Sequence, residues 1–285
     1  MPSTAAYSRQ TPTPLTESFA NGLRRRELLA GLAGLAAFGT GAAASGDLDL
    51  DDPAQNLRAF VKLIGSLDGA PVYDMVRGSV YGLMAGRAAQ PLFKTVGAGV
   101  AVYRQVSPLE FTATSRYVGL LLDWETGQPM ERWTNPLNGV RCTVPTTQYG
   151  PGDMRVLGDR MLPAGMEMDG PVGGTRPWFR LGDTVHMHRE VLAGDPQQPL
   201  FPKGDLMTYS GDWKLLQDAA VLRMPSRLNF SAVEKWRDWM NMDAQAQPGT
   251  LWWHVAGAKL QGPGDYPPDL REWVTRQDPG FFDVG

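Results

Sequence analysis

The spacing of turn-forming residues constrains the fold of this chain most strongly. Its 285 residues include 33 Gly and 23 Pro. Gly, Pro or Asn residues bound most of the segments that are rich in β-branched and aromatic side chains. Eight such segments are predicted to be strands: Val72–Met84, Phe93–Val106, Glu110–Trp124, Pro129–Asn135, Val140–Tyr149, Trp178–Ala193, Asp205–Trp213 and Leu251–Leu260. Eight strands with short connections favour a mainly β protein built as an antiparallel barrel or sandwich.

A few segments do not fit the strand pattern. Apolar residues at helical spacing predict an opening helix over Ala54–Leu67, and two more helices are expected at Phe230–Met240 and Pro268–Thr275. The segment Pro151–Thr175 is rich in Gly, Pro and Met, which is typical of a long loop that can act as a lid. Its methionines would form an adaptable cover over a pocket; they are Met154, Met161, Met166 and Met168.

Composition excludes several classes of function. The single cysteine, Cys142, rules out an internal disulfide, and three histidines rule out a His-rich metal cluster. A net charge of −3 without a long basic tract argues against a nucleic-acid partner. The sequence also lacks the usual nucleotide-binding, hydrolase and metalloprotease motifs. We therefore expect no cofactor, although a metal ion is possible.

The first 44 residues have the three parts of an export signal. Arg25 and Arg26, one spacer and two leucines resemble the twin-arginine motif, and the apolar run Leu28–Phe38 leads to small residues ending at Ala44. Eleven residues at about 1.5 Å each would cover only about half of a bilayer core, so a stable membrane span is not expected. The sequence predicts a signal peptide over 1–44, recognised by the twin-arginine export machinery, and one β-barrel domain over 45–285. The protein would then be periplasmic or secreted and exported folded.

The sharpest candidate for chemistry is a strand that carries two histidines. Period-2 alternation places His186, His188 and Glu190 on one face of Trp178–Ala193. These groups could act as acid–base residues in a barrel lumen. They could instead bind a metal, with His254 completing the set, or form a solvated polar face.

A second candidate lies on the first strand. The alternate face of Val72–Met84 carries Tyr73, Arg77 and Tyr81, a mixture that would suit a lumen binding an aromatic or carboxylated molecule. Tyr73 is a candidate catalytic residue, and Arg77 and Tyr81 are candidate ligand-binding residues. The alternative for Arg77 is a structural ion pair with Asp74 or Asp123.

Other residues allow a functional or a structural interpretation. Trp133 and Trp253 are candidate ligand-binding residues, because tryptophans that line a cavity favour flat apolar ligands; core packing is the alternative. Lys259 would be a base with a lowered pKa if it is buried, or would extend to the surface. Asn135 precedes a proline, which suits a strand end.

Three sequence blocks carry a family resemblance. They are Tyr73-x-x-x-Arg77-Gly78-x-Val80-Tyr81-Gly82, then Leu122-Asp123-x-x-Thr126-Gly127 with Trp133-x-Asn135-Pro136, and Trp236-x-x-Trp239-Met240 with Gly257-x-Lys259-Leu260. Over about residues 54–282 the chain resembles domain-of-unknown-function family 1838. This resemblance implies secreted, often twin-arginine-exported bacterial proteins with a lipocalin-like β-barrel, and hints at the breakdown of plant-derived aromatic compounds. It implies no catalytic residues.

These observations predict an exported β-barrel enzyme that acts on a small aromatic or apolar molecule. Acid–base chemistry of the lyase, isomerase or hydratase type would not require a cofactor. A non-catalytic periplasmic binding or carrier protein is the first alternative, and an envelope interaction protein is the second. The enzyme requires titratable side chains that converge inside the barrel, whereas a carrier needs only apolar walls.

Overall fold

The computed structural model describes residues 48–165, 174–193, 203–243 and 248–284. The predicted signal peptide, together with Met166 and Met168, lies outside these residues. The described residues form three α-helices: α1 (Pro53–Ile64), α2 (Trp213–Gln217) and α3 (Pro268–Gln277). Short 3₁₀ helices span Asp238–Met240 and Pro263–Asp265 in the same part of the chain.

Most of the described chain is β-structure. The strands are β1 (Val72–Met84), β2 (Gln90–Ser107), β3 (Glu110–Asp123), β4 (Arg132–Thr134), β5 (Arg141–Thr143), β6 (Thr147–Leu157), β7 (Arg160–Pro163), β8 (Trp178–Leu181), β9 (Thr184–Ala193), β10 (Lys203–Asp212), β11 (Ser226–Glu234) and β12 (Gly249–Leu260). Ten of them form one sheet in the order β7-β6-β3-β2-β1-β12-β11-β10-β9-β8, and β4 pairs with β5. All the strand pairs in the large sheet are antiparallel.

The large sheet curls into a half-barrel around helix α1. Phe111 on β3 and Val156 on β6 share one core cluster with Met187 on β9, although β3 and β9 are six places apart in the strand order. Only a curled sheet brings these strands to the same helix. We call the face that packs on α1 concave and the opposite face convex. The mainly β, antiparallel architecture expected from the sequence is confirmed, and a lipocalin-like fold is compatible with this half-barrel.

Helix α1 forms because its start is capped and one side is apolar. The Asp52 carboxylate accepts a hydrogen bond from the Gln55 amide at 2.8 Å, and Pro53 occupies the first turn. Leu57, Phe60 and Leu63 are fully buried against the sheet. Burial of each of these side chains stabilises the folded protein by about 1.5–3 kcal/mol. Helix α1 is therefore held against the sheet, where it closes one end of the concave face.

The convex face and the far end of the sheet are covered by other elements. Leu270 and Val274 of α3 pack on the convex side of β2 and β3. At the end of the concave face opposite α1, Val80 and Phe93 pack with Met240 and with Trp133. Trp133 belongs to β4, so the small β4–β5 sheet lies at this end. No helix in the described part of the chain is long and apolar enough to cross a membrane.

Several predicted elements are confirmed and others are wrong. Helices are found at Pro53–Ile64 and Pro268–Gln277, and β1 has the predicted bounds. The Trp178–Ala193 strand is a hairpin, since Gly182 turns the chain with a φ of 60°. Phe230–Met240 is not a helix, because Leu228, Phe230 and Ala232 alternate as strand residues in β11.

The predicted loop over Pro151–Thr175 is also wrong for its first half. The chain forms β6 and β7 there, and β6 pairs with β3. Gly150 and Pro151 lie where the register between β3 and β6 shifts, and regular pairing continues on both sides. The turn-forming residues mark an irregularity within a strand. Similarly, Val140–Tyr149 is divided between β5 and the start of β6.

Candidate functional site

The two histidines of β9 lie on the convex face, away from α1. His186 Nδ1 is 2.8 Å from Ser210 Oγ, and the His186 ring stacks on Phe179 with centroids 4.7 Å apart. His188 Nδ1 is 2.9 Å from Thr208 Oγ1, and its Nε2 is 3.0 Å from Glu190 Oε1. The shared face expected for His186, His188 and Glu190 is present, but the interior side of β9 carries Val185 and Met187 instead.

The four residues considered for a metal site do not come together. His254 is on the convex face of β12, which lies three places from β9 in the strand order. Strands about 4.8 Å apart put His254 about 14 Å from Glu190. Among the described residues, no group of three or more His, Cys, Asp or Glu side chains is placed to hold a metal ion.

The candidate residues of β1 are on the convex face as well. Tyr73 packs against Tyr266 and Phe282, with ring centroids 6.4 and 6.2 Å away. Tyr81 packs between Trp124 and Trp252, at 5.6 and 5.4 Å. Alternation places Arg77 between these two tyrosines on the same side of the strand. Arg77 and Tyr81 therefore do not face the concave side, where they would have had to lie to orient a ligand in a lumen.

Trp133 and Trp253 belong to the cluster at the far end of the concave face. The Trp133 ring lies 5.1 Å from the Phe93 ring and 5.9 Å from the Trp239 ring. Trp253 Nε1 donates a hydrogen bond to Glu234 Oε1 at 2.6 Å. Both tryptophans pack in a core cluster at this end, which is compatible with either the wall of a cavity or simple packing.

The structure brings a different set of titratable groups to the middle of the concave face. We call Asp74, Tyr117, Tyr209 and Lys259 the concave cluster. Asp74 pairs with Gly99 on β2, and Gly99 pairs with Tyr117 on β3. A side chain at position 99 would place its Cβ 2.5 Å from Asp74 Oδ2, and one at position 97 would collide with the Tyr117 hydroxyl. The two glycines leave the space that Asp74 and Tyr117 occupy.

Asp74 is the carboxyl group whose environment is most unusual. Its side chain is partly exposed on the concave face. Desolvation by the surrounding residues raises its pKa from 3.8 to about 6, against a smaller opposing effect of the Lys259 charge. No described residue donates a hydrogen bond to this carboxylate. A carboxyl group in this state is poised to exchange a proton near neutral pH.

The tyrosines of the concave cluster remain protonated at neutral pH. Burial, followed by the nearby Asp74 charge, raises the pKa of Tyr209 to about 12 and that of Tyr117 well above its usual value of 10. Both hydroxyl groups therefore act as hydrogen-bond donors and not as bases. They place neutral polar groups close enough to feel the Asp74 charge.

Lys259 is partly buried, and its ammonium group is occupied. Its Nζ donates to the carbonyl oxygens of Lys62 and Gly65 at 3.0 and 2.7 Å, at the C-terminal end of α1. Burial, followed by the Arg223 charge, lowers its pKa to about 7. These contacts show that Lys259 caps helix α1 and places a positive group on the concave face near Asp74.

The residues selected from the sequence and the concave cluster lie on opposite faces of β1. Sequence reasoning chose the side with the larger number of reactive side chains, whereas the concave side carries Val72, Asp74, Val76, Gly78 and Val80. The available signal was a single carboxylate on an otherwise small and apolar face. Tyr117 and Tyr209 had no comparable signal, because each is one aromatic residue among many.

Comparison with known proteins identifies a family. No curated protein and no solved structure matches the chain. A family described as a protein of unknown function, DUF1838, matches residues 70–284 and so covers β1 to the end of the described C-terminal segment. This match includes every member of the concave cluster and all but the first helix of the fold. The chain therefore belongs to the DUF1838 family.

Proposed function

We propose that the protein is an enzyme that performs acid–base chemistry on a small aromatic or apolar molecule held against the concave face. The observation that carries this proposal is the Asp74 carboxyl group, which has a pKa of about 6 and no described hydrogen-bond donor. Titratable groups thus converge on the inner side of the half-barrel, as an enzyme requires and a carrier does not. Lyase, isomerase or hydratase chemistry fits a centre that moves protons.

Asp74 would move the proton, and the tyrosines would hold the substrate. The ionised carboxylate takes a proton from a C–H or O–H group of the substrate. The resulting carboxylic acid returns that proton to another atom of the same molecule or to a departing hydroxyl, which leaves as water. Tyr117 and Tyr209 donate hydrogen bonds to the oxygen on which charge develops.

The histidine strand provides a second candidate centre. His188 Nε2 and Glu190 Oε1 form a hydrogen bond of 3.0 Å, and this arrangement orients an imidazole for proton transfer. The pair lies on the convex face with half of the Glu190 side chain exposed. Chemistry there would take place in water, so we favour the concave cluster.

Export in the folded state is part of the proposal. It is supported by the Arg25-Arg26 motif, the short apolar run and the small residues up to Ala44. The lone Cys142 is buried, so the fold does not depend on disulfide formation in an oxidising compartment. The protein would then meet its substrate in the periplasm or outside the cell.

The proposal is tested by titrating Asp74 and by identifying the ligand. Infrared difference spectra of the wild type and Asp74→Asn should show a carboxyl group that loses its proton near pH 6. Mass spectrometry of protein purified from its own host should identify a bound small molecule, and Asp74→Asn should abolish its conversion. An Asp74→Asn variant with full turnover would refute the enzymatic assignment, whereas binding without turnover by the wild type would identify a carrier.

A further inference from the structure

Three buried hydrogen-bond donors on one side of β8 have no acceptor among the described residues. They are Nε and Nη1 of Arg176 and Nε1 of Trp178. Arg176 is only 5% exposed, and its remaining terminal nitrogen, Nη2, reaches the Arg160 carbonyl oxygen at a long 3.4 Å. Buried donors are nearly always paired, so three unpaired ones in two neighbouring side chains indicate a missing acceptor.

A second guanidinium group, that of Arg189, lies on the same side of the sheet as the Arg176 group. Trp178 pairs with Met187, and the His188 amide donates to the Pro177 carbonyl at 3.3 Å, which continues the antiparallel register by one more step. Arg176 is thereby placed directly opposite Arg189, with both side chains on the concave side. Like charges that face each other across a pair of strands destabilise it.

No described carboxylate neutralises this pair. The nearest acidic influence on Arg176 is Asp159, which pairs instead with Arg160 at 3.8 Å. Arg189 Nη1 lies 3.7 Å from Met161 Sδ, a weak acceptor for a charged donor. The cluster formed by Arg176, Trp178 and Arg189, which we call the donor cluster, thus combines two positive charges with unused donors.

The donor cluster is held rigidly in place. Buried Asn56 of α1 donates to the Arg176 carbonyl oxygen and accepts from the Arg176 amide, each at 3.0 Å. The Arg176 guanidinium carbon lies 3.6 Å from the centre of the Phe60 ring. A fixed backbone and a stacked guanidinium group are features of a preformed binding site.

We propose that the donor cluster binds the carboxylate of a small, largely apolar molecule. The apolar residues next to it are Phe60, Met161 and Met187, which suit a singly charged carboxylate on an apolar body better than a phosphate or sulfate with a higher charge density. The half-buried Arg189 marks the side from which the anion enters. This inference rests on the proposed function, since it assigns a carboxylate to the substrate held on the concave face.

Benzoate is the probe, and benzamide is its uncharged counterpart. At constant ionic strength, benzoate should raise the melting temperature and bind in calorimetry, whereas benzamide should do neither. Arg189→Gln should weaken benzoate binding by about tenfold or more. The matched control is Arg180→Gln, which removes an equal charge from β8 at a half-exposed arginine that packs over Trp213; it should bind benzoate like the wild type.

The unliganded variants provide a separate readout. Without benzoate, Arg189→Gln should melt at a higher temperature than the wild type, because it removes a repulsion. Equal effects of benzoate and benzamide, no benzoate binding by the wild type, or full binding by Arg189→Gln would each overturn the proposal, as would stabilisation by phosphate in place of benzoate. Asp74→Asn should still bind benzoate, so a failure of the acid–base proposal is distinguishable from a failure of this one.

Discussion

Asp74 lies over Gly99: the carboxylate of the first strand occupies the space that a side chain on the second strand would fill, 2.5 Å from Oδ2 to the Cβ position. The two residues are register partners, so a larger residue at position 99 would require the Asp74 carboxylate to move. The orientation of the candidate catalytic carboxyl group therefore depends on the absence of a side chain on its neighbour.

Gly99→Ala is expected to displace the Asp74 carboxylate and to lower the free energy of unfolding by about 1–3 kcal/mol, because the new methyl group overlaps it. Denaturant unfolding measures the loss. Gly262→Ala is the matched control, since its Cβ would meet nothing within 4 Å and its φ of −166° suits any residue. Equal stability of the two variants would contradict the close approach described for Gly99.

Asp74→Asn should stabilise the protein at neutral pH. A carboxyl group with a folded-state pKa of about 6 and an ordinary value of 3.8 binds its proton more tightly in the folded state. The wild type should therefore lose stability as the pH rises from about 4 to about 6, by up to about 3 kcal/mol. The variant should lack this loss, which unfolding curves across that range would show; parallel curves would argue against a raised pKa of Asp74.

Lys259→Met should remove a pH dependence of opposite sign. The Lys259 ammonium has a folded-state pKa of about 7, below its ordinary value of 10.5, so the unfolded chain binds the proton more tightly between these two values. The wild type should gain stability as the pH rises through that range. Thermal unfolding at several pH values should show this gain in the wild type and not in Lys259→Met, although the variant also loses the two bonds that cap α1.

His188→Ala tests the second candidate centre. The side chain is about one-third exposed, so its removal should change the free energy of unfolding by no more than about 1 kcal/mol. Turnover of the molecule that co-purifies with the protein should persist in this variant and disappear in Asp74→Asn. The reverse result would move the acid–base centre to the convex face.

Local patterns predicted the fold better than they predicted the site. Helix α1 and strand β1 each follow from apolar spacing and from the turn residues beside them, so both are evident without the rest of the chain. Strand β6 was missed because Gly150 and Pro151 have the composition of a loop. They are tolerated there since they lie at a register shift that only the pairing with β3 reveals.

The proposed site depends on which face of the sheet is concave, and local sequence does not contain that information. The alternation that groups His186, His188 and Glu190 was predicted, but α1 packs on the other side of the strand. Likewise, Asp74 meets Gly99 and Tyr117 only through pairings across three strands. A charged residue on an otherwise apolar strand face was the clue, and it was weaker than the cluster of reactive residues on the opposite face.

The position of α1 also affects how the chain can reach its native state. This helix is synthesised early, but its side chains form hydrogen bonds with residues far downstream. Asn56 donates to the Arg176 carbonyl, 120 positions away, and Lys62 donates to the Leu216 carbonyl, 154 positions away. The half-barrel cannot close around the helix until strands from both halves of the chain exist, which gives a high contact order and slow assembly. A transporter that carried the chain unfolded would release α1 long before the downstream strands with which it packs. A transporter that accepts folded proteins avoids that delay, because the half-barrel has already closed around the helix.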